Sequence, residues 1–585
     1  MNFTEVVFGG TVTASPPVGS TFLNSEAVTW TVSEAVLTAL MPGLLLLYGV
    51  AALCSGWGLR LSWTWRVARA TSVASVVAAL LCVVWVALHG SATWPGWLLF
   101  SLGSWGELRL SFRLDAVTST VLLLVSFLGW VVVRYSQTYL AGEAHQSRYV
   151  RSLMLTLAAV SAVVVSNNLG VLVLAWMATS LALNGLLTFY ADRPQALLVA
   201  HKKAIASRMA EVCMLLAVGL VGASTGTLEI DQLLQQVAAL KQTGSSLPLA
   251  LHTAGVLFAI AAILKCAQLP VHGWLIQVME APTPVSALLH AGVVNLGGLV
   301  LIRLGGWVAE VPAAQVLLVV VGTTTAAVAA LVMMTRISVK VMLAWSTCAQ
   351  MGFMLMQCGL GAYSLALLHL LAHSLYKAHA FLAAGGAVEQ ARLQRLTAVR
   401  VAPGARATVT AVLASLAVVL LAAALWNSIV APLFPSGVGA ASMTTLVLTG
   451  IFCLALTPWF NTQALRWGGF GVWVSSSLAL LLVLVYFGLN SAFTLAMGLA
   501  ATTPPHAAAL LWVAACFVML FVMQSLIRSR PQGRLVQQLY PWFFAGLHLD
   551  EWFTRLTLRI WPLRLVHSRV APKTTAVSTA SSGVW

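Results

Sequence analysis

Apolar runs of about twenty residues recur along almost the whole chain, and no other feature limits its fold as strongly. They fall near residues 34–56, 67–89, 115–134, 151–166, 169–190, 203–223, 252–278, 283–304, 312–334, 338–357, 361–386, 407–430, 443–460, 469–490 and 507–527. A helix of that length crosses a hydrocarbon core roughly 30 Å thick and bonds every backbone polar group internally. The sequence therefore predicts an all-α polytopic membrane protein with about 15 transmembrane helices.

The charge composition agrees with this prediction. Of the 585 residues, 60% are hydrophobic and only 8% are charged, whereas roughly a quarter of the residues in a soluble domain are charged. In a soluble protein the formal net charge of +16 would indicate nucleic-acid binding. Here the basic residues cluster in short connections between apolar runs. They therefore indicate orientation against membrane lipids, and no nucleic-acid partner is expected.

The basic clusters alternate with uncharged connections as the positive-inside rule requires. Clusters lie within 60–69, 148–151, 193–203, 336–340, 392–406 and 528–534, whereas 166–168, 358–360, 431–442 and 489–506 carry no Lys, Arg, Asp or Glu. This alternation predicts a multi-pass protein of the inner (cytoplasmic) membrane, with its N-terminus outside and its C-terminus in the cytoplasm. Residues 1–33 contain no Lys or Arg, which predicts a polar non-cytoplasmic leader and not a cleaved signal peptide.

Cofactor signatures are absent from the sequence. The eight cysteines are scattered and form no CxxC or other ligand spacing, so neither a zinc nor an iron–sulfur site is expected in this chain. No G-x-G-x-x-G loop links a predicted strand to a helix, and no histidine spacing across two helices fits haem. A redox subunit that binds quinone or haem is therefore a poorly supported alternative.

The segment from 533 to 565 is rich in Arg, Trp and Phe, which predicts one or two helices at the cytoplasmic membrane surface. Two interpretations are compatible with each other. The segment anchors the protein to the surface, or it forms a docking surface for a cytoplasmic partner. The candidate docking residues are Trp542, Trp552, Arg555 and Arg559. The residues beyond it have the composition of a disordered tail.

A lysine and a proline interrupt the seventh apolar run. Lys265 lies about 13 residues into the run, roughly 20 Å along a helix, and Pro270 follows it. Proline frees backbone carbonyls, which at that depth is tolerated only where they line a cavity or meet protein. Lys265 is therefore predicted to be a buried, hydrated group of an ion path. The alternative is a lysine whose long side chain reaches the interface.

Other ionisable residues lie in or at the edges of apolar runs. His369, His373 and Lys377 recur every four residues, so they share one helix face and predict a proton relay. Hydrogen bonding between helices is the alternative for this stripe. Glu211, His290 and Lys340 are further candidates for ion translocation, since charges inside a bilayer are costly and usually functional. For Lys340, at a run edge, an interfacial anchor is the alternative.

Two stretches resemble the proton-translocating antiporter-like subunits of respiratory complex I (NuoL type) and of Mrp antiporters. They read LKCAQLPVHGWL…MEAPTPVSALLHAG and ISVKVMLAWSTCAQMGFMLMQCGLGAYSLALLHLLAHSLYKAHAFLAAG. The resemblance is specific over about residues 110 to 390. It implies two inverted five-helix repeats, each with a broken helix. The implied divisions are 1–33 leader, 34–150 N-terminal helices, 151–304 first repeat, 305–460 second repeat, 461–530 C-terminal helices, and 531–585 interfacial segment and tail.

The resemblance also implies roles along an ion path. Lys265 matches the family's broken-helix lysine, and Lys340 matches its bridging lysine. Glu211 matches the acidic residue of the sixth span. The remaining correspondences are His369, His373 and Lys377 in the central relay, with Arg208, Pro270, Pro282 and Pro284 in supporting positions.

The sequence differs from the usual family pattern in three features, which indicate the branch of the family that it resembles most. Met177 stands where the family usually has the glutamate that pairs with the broken-helix lysine. Either Glu211 alone pairs with Lys265, or the entry half of the ion path is rebuilt. The twelfth span has no lysine, and Asn427 is the nearest polar group. Little sequence follows the Trp/Arg-rich segment, whereas NuoL-type subunits continue into a long lateral helix. In these respects the chain most resembles DabB-type membrane subunits of inorganic-carbon accumulation complexes.

This resemblance implies that a cation gradient, expected to be of protons but with Na⁺ still open, is coupled to CO2 hydration in a partner. The partner would be a large cytoplasmic zinc protein resembling DabA, itself related to carbonic anhydrases, and zinc is expected only there. The chain itself is expected to be an ion-translocating subunit and not an enzyme. The alternatives are a proton-pumping or cation/proton antiporter subunit of a respiratory, hydrogenase or Mrp-type complex, and a passive membrane anchor.

Overall fold

The computed structural model describes residues 32–56, 60–387, 389, 392, 404–430, 432, 443–497 and 505–562. Most of the predicted leader and the tail beyond residue 562 therefore lie outside the described residues. The first part of the chain forms α1 (Val32–Gly56), α2 (Leu61–His89), α3 (Ala116–Tyr139), α4 (Gln146–Val165), α5 (Leu169–Leu187), α6 (Pro194–Thr225), α7 (Ile230–Gln242) and α8 (Leu249–Lys265). The predicted helical membrane fold is confirmed.

The middle of the chain contains several short helices beside long ones. They are α9 (Gly273–Ile276), α10 (Thr283–Ala291), α11 (Leu296–Arg303), α12 (Gly305–Val308), α13 (Pro312–Met333), α14 (Val339–Gly359) and α15 (Tyr363–Leu382). The last part consists of α16 (Ala405–Leu425), α17 (Met443–Met497), α18 (Ala507–Ser529), α19 (Arg534–Phe544) and α20 (Leu549–Ile560). Helix α17 contains two apolar stretches, Met443–Asn461 and Gly471–Met497, which were predicted as separate spans.

Twelve helical segments among the described residues are long and apolar enough to cross a membrane, and Met41–Gly56 and Leu249–Lys265 are shorter apolar helices. The predicted number of about 15 spans stays a prediction. Their apolar side chains pack into several buried clusters, and the largest of those described includes residues from Met41 to Phe553. Such side-chain packing, and not water exclusion between helices, holds membrane helices together.

One element was not predicted. Strand β1 (Ala92–Ser101) pairs with β2 (Glu107–Leu114) in an antiparallel hairpin between α2 and α3. In the sequence ATWPGWLLFS, Pro95 and Gly96 interrupt the alternation that would predict a strand. The register shifts between Trp94 and Trp97 accommodate these two residues as an irregularity.

Helices α13 and α14 cross at two facing glycines, which gives a prediction about stability. A β-carbon at Gly352 would lie 2.5 Å from the backbone oxygen of Gly322, closer than real contacts allow. Gly352→Val is therefore expected to separate the helices and lower the melting temperature of the purified protein, by about 1 °C per kcal/mol for a chain of 585 residues. Gly450→Val is the matched control, since nothing lies within 4 Å of a β-carbon there. Equal melting temperatures for the two variants would contradict the packing account.

Candidate functional site

The seventh predicted span is a broken helix. Helix α8 ends at Lys265, and the chain continues without regular helix to Gly273, where α9 begins. The Leu269–Pro270 peptide bond within this segment is cis. Side chains bond the backbone groups that the break releases. The Gln268 amide donates to the Cys266 carbonyl at 2.9 Å, and the Leu269 N–H donates to Thr325 Oγ1 at 3.3 Å. The break is therefore stabilised by hydrogen bonds within the protein interior.

Lys265 lies at the start of this break and is buried, with 8% of its surface exposed. Its Nζ donates to Ser180 Oγ at 2.7 Å and to Glu211 Oε1 at 3.1 Å. The same nitrogen lies 5.6 Å from the centre of the Trp176 ring. The ammonium is thus held by one hydroxyl, one carboxylate and one aromatic face, and its side chain does not extend to the protein surface.

Glu211 is shared among several basic groups. Arg208, one turn earlier on α6, places Nη1 2.8 Å from Glu211 Oε2. Lys203, also on α6, is buried and donates to the Ser180 carbonyl at 2.6 Å. Two basic side chains therefore contact a single carboxylate, and a third, Lys203, is bonded to the Ser180 carbonyl beside them. Such a cluster cannot keep all its protons without an uncompensated buried positive charge.

Sequence reasoning missed Lys203. It belongs to the basic cluster at 193–203, which was assigned as a whole to a cytoplasmic connection. The structure instead starts α6 at Pro194, so that Lys203 lies in the third turn and is 5% exposed. Pro194, which directly follows Arg193, could have indicated this helix start in the sequence, because proline favours the first turn of a helix.

Met177 is half-buried against the main core and brings no ionisable group to the lysine. One helical turn further along α5, Ser180 presents its hydroxyl to Lys265 and its carbonyl to Lys203. The structure therefore holds Lys265 with a neutral hydroxyl from α5 and an acid from α6. This is the geometry that the Met177 departure left open.

A second cluster lies on α15. The rings of His369 and His373 have their centres 6.0 Å apart, one turn from each other. His369 Nδ1 lies 3.2 Å from Gln357 Oε1. Lys377, fully buried, donates to Ser346 Oγ at 2.7 Å. In the described residues neither ring nitrogen of His373 has a hydrogen-bond partner.

His290 joins this second cluster from α10. Its ring stacks on Phe381 of α15 with ring centres 4.4 Å apart, and it is fully buried. Within the described part of the chain, both of its ring nitrogens lack a hydrogen-bond partner. The eighth span is itself interrupted after His290, at Gly292, and Asn295 in the interruption donates to Ser374 Oγ at 2.7 Å. That interruption was not predicted.

Lys340 lies in the first turn of α14 and is half-buried. Its Nζ donates to Thr283 Oγ1 at 2.8 Å. Pro282 and Pro284 flank Thr283 and begin α10, because proline fits the first turn of a helix. Lys340 is therefore attached to the start of the helix that carries His290.

The two clusters are separate. Among the described residues, no direct hydrogen bond joins the Lys265 group to the His373 group. The two clusters therefore do not form a continuous chain of hydrogen-bonded side chains. Asn427 lies elsewhere, in the π-helical turn after α16, and lines a cavity of about 700 Å³ with Ser364 and Asn490.

The candidate docking residues lie on two amphipathic helices at the end of the described chain. Trp542 is 56% exposed and Trp552 is 58% exposed, and Arg555 and Arg559 are exposed as well. On the opposite side of α20, Phe553 and Thr557 are buried. All four docking candidates therefore face away from the helical core.

Comparisons with known proteins identify the family. A profile described as "NADH:quinone oxidoreductase/Mrp antiporter, TM" matches residues 166–450, and one described as "NADH-Ubiquinone oxidoreductase (complex I), chain 5 N-terminus" matches residues 97–150. A solved Mrp complex from Dietzia sp. is similar in fold, with a TM-score of 0.59 and 23% identity, over 90% of this chain and 60% of that chain.

Two relatives match over most of their length. The "Probable inorganic carbon transporter subunit DabB" of Hydrogenovibrio crunogenus is 42% identical over 466 residues, which cover 79% of this chain and 86% of that protein. The "Probable inorganic carbon transporter subunit DabB2" of Halothiobacillus neapolitanus is 37% identical over 93% of this chain and 97% of that protein. The predicted resemblance is therefore confirmed, and the chain belongs to the DabB family of inorganic carbon transporter subunits, within the larger antiporter-like family of complex I and Mrp.

Proposed function

We propose that this chain moves a cation, expected to be the proton, across the membrane and that the movement drives accumulation of inorganic carbon by a complex. The observation that carries the proposal is the contact of Lys265 with Glu211 and Ser180 beside the broken helix. A buried amine with both an acid and a hydroxyl partner can bind and release a proton without leaving an unpaired charge.

The excess of basic groups supports a switching role for this cluster. Lys265 and Arg208 share one carboxylate, Glu211, while Lys203 bonds the Ser180 carbonyl beside them. When one amine of the cluster binds a proton, protonation of the neighbouring amine becomes electrostatically less favourable. A proton is therefore passed along the cluster and is not held there. A lone lysine that only anchored a helix would need no such arrangement.

The second cluster extends the proposed path towards the centre of the chain. His290 and His373 are buried imidazoles with unbonded nitrogens in the described part of the chain, so each is available to a proton or a water molecule. Lys377 lies one turn from His373 and would receive the charge. Lys340 would bridge from the first cluster along the start of α10.

The driving force is sufficient for carbon accumulation. One charge that crosses a potential of 100 mV releases about 2.3 kcal/mol. At about 1.4 kcal/mol per tenfold concentration ratio, this corresponds to roughly a fortyfold ratio of bicarbonate to CO2. One proton translocated per carbon would therefore be enough to maintain a bicarbonate-to-CO2 ratio of that size.

The chemical step belongs to a partner in this proposal. The partner would be a large cytoplasmic zinc protein resembling DabA, which hydrates CO2 while this chain supplies the ion movement. Docking would use the exposed face of Trp542, Trp552, Arg555 and Arg559, because tryptophan and arginine are frequent anchors of protein interfaces. With the N-terminus outside and the C-terminus inside, as the charge pattern predicts, this face lies in the cytoplasm.

Co-purification tests the proposal directly. The chain, expressed with its neighbouring genes and isolated through an affinity tag, is expected to bring down a large protein that contains zinc by elemental analysis. Trp552→Ala combined with Arg555→Ala is expected to lower the recovered zinc severalfold, since truncated interface anchors commonly cost about 2 kcal/mol each. Recovery of a dehydrogenase or a set of small antiporter subunits, without zinc, would favour the respiratory or Mrp-type alternative.

A further inference from the structure

A carboxylate of the C-terminal segment contacts both α6 and the broken helix. Asp550, in the first turn of α20, accepts from Lys202 Nζ at 2.9 and 3.0 Å. It also accepts from Gln277 Nε2 at 2.6 Å, and Lys202 in turn donates to Gln277 Oε1 at 3.0 Å. The three side chains form a closed ring. Lys202 is fully buried in it, whereas the side chain of Asp550 is 29% exposed.

The ring lies directly against the broken helix. A β-carbon added to Gly273, the first residue of α9, would overlap Asp550 Oδ1 at 1.4 Å. Any side chain at Gly273 would therefore displace the carboxylate. Gln277 follows α9 in the same half of the broken helix. Asp550 thus contacts the second half of that helix through a backbone position and through a side chain.

Helix α20 is attached to α6 at both ends. At the far end, Trp561 stacks on His201 with ring centres 4.1 Å apart and an interplanar angle of 9°. Between the two attachments, Phe553 and Thr557 are buried. The opposite face of α20 carries three of the proposed docking residues, Trp552, Arg555 and Arg559. A displacement of α20 by a bound partner would therefore be transmitted to α6 through two contacts.

Helix α6 also carries the acid of the ion site. Lys203 follows Lys202 and contacts Ser180, the hydroxyl partner of Lys265, while Glu211 lies two turns further along. Both structures that hold Lys265, namely the broken helix and α6, are therefore bound to one carboxylate that lies 348 residues from Lys202 in sequence.

We infer that Asp550 is a positioning residue for ion translocation, which ties the partner-docking helix to the lysine site so that ion movement and partner chemistry stay coupled. The inference rests on the proposed function. Its physical basis is charge, because a fully buried ammonium needs an ionised partner and a neutral amide does not replace one. Breaking the ring would free the broken helix from the docking helix while leaving Lys265 and Glu211 in place.

The test uses the complete complex in cells that have no other route for carbon uptake. Asp550→Asn keeps the size of the side chain and removes its charge. Initial carbon uptake is expected to fall about tenfold and to become insensitive to an imposed proton gradient, because a buried pair has been broken. Glu551→Gln is the matched control, since Glu551 is the adjacent, exposed acid that pairs with His548 outside the ring. It is expected to behave as the unmodified protein.

Two further variants separate positioning from simple packing. Gly273→Ala displaces the carboxylate without altering it, and is expected to reproduce the loss of gradient response. The exchange of the pair, Lys202→Asp with Asp550→Lys, is expected to restore part of the response that either single change removes. A purely structural hydrogen bond would be satisfied by Asp550→Asn and would give no such rescue.

The outcomes also distinguish this inference from the proposed function. If assembled Asp550→Asn complex keeps gradient-dependent uptake while Lys265→Ala loses it, the inference is overturned and the proposed function stands. If Asp550→Asn fails to assemble with the partner although the protein is folded in the membrane, Asp550 is a docking residue and the positioning role is overturned. If Lys265→Ala itself keeps gradient-driven uptake, both are overturned.

Discussion

The Lys265→Ala variant is expected to reduce gradient-driven carbon uptake to the level of cells that lack the chain. The substitution removes the amine that exchanges protons and leaves Glu211 with Arg208 as its remaining basic partner in direct contact. Removing one partner of a buried pair typically costs about 3–5 kcal/mol. The measurement is the initial rate of labelled inorganic-carbon uptake at equal amounts of membrane-inserted protein.

A matched pair on the surface provides the control for this experiment. Lys241 forms an ion pair with Glu310 at 2.6 Å, and the Lys241 side chain is 42% exposed. Surface pairs of this kind contribute about 0–1 kcal/mol. Lys241→Ala is therefore expected to leave uptake unchanged. Full activity of assembled Lys265→Ala would mean that the chain is a passive anchor.

The Glu211→Gln variant is expected to abolish coupling while the protein stays folded in the membrane. Glutamine keeps a hydrogen-bond acceptor for Lys265 but removes the only acid that the structure places in contact with it among the described residues. The three basic groups of the cluster then lack a compensating charge, which opposes arrival of a proton. Uptake is measured as for Lys265→Ala, with Glu310→Gln as the control at the surface pair. Normal uptake by Glu211→Gln would show that another group balances Lys265.

The sequence was sufficient to predict the helical membrane fold, the broken helix at Lys265 and the helix that carries His369, His373 and Lys377. These features follow from local rules, namely hydropathy over twenty residues, the effect of proline and the period of a helix. The structure also places Glu211 in contact with Lys265, which the absence of an acid at Met177 had suggested.

Contacts between distant parts of the chain could not be predicted in the same way. Lys203 was assigned to a cytoplasmic cluster because charge alone does not show which member of a cluster turns inward. Ser180 gave no signal, since serine is common in membrane helices and acts here through its position beside Lys265. Asp550 was unremarkable in sequence. It gains its importance only from contact with Lys202 and Gln277 in the folded chain.

The central claim is that protons pass the amine of Lys265, and proton flux measures it most directly. Purified complex in sealed vesicles without sodium, with a pH-sensitive dye inside, is given an imposed proton gradient and then CO2. The account predicts that the proton flux and carbon hydration rise together in the unmodified complex and that both disappear in Lys265→Ala. A proton flux of unchanged size in the assembled Lys265→Ala complex would contradict the account.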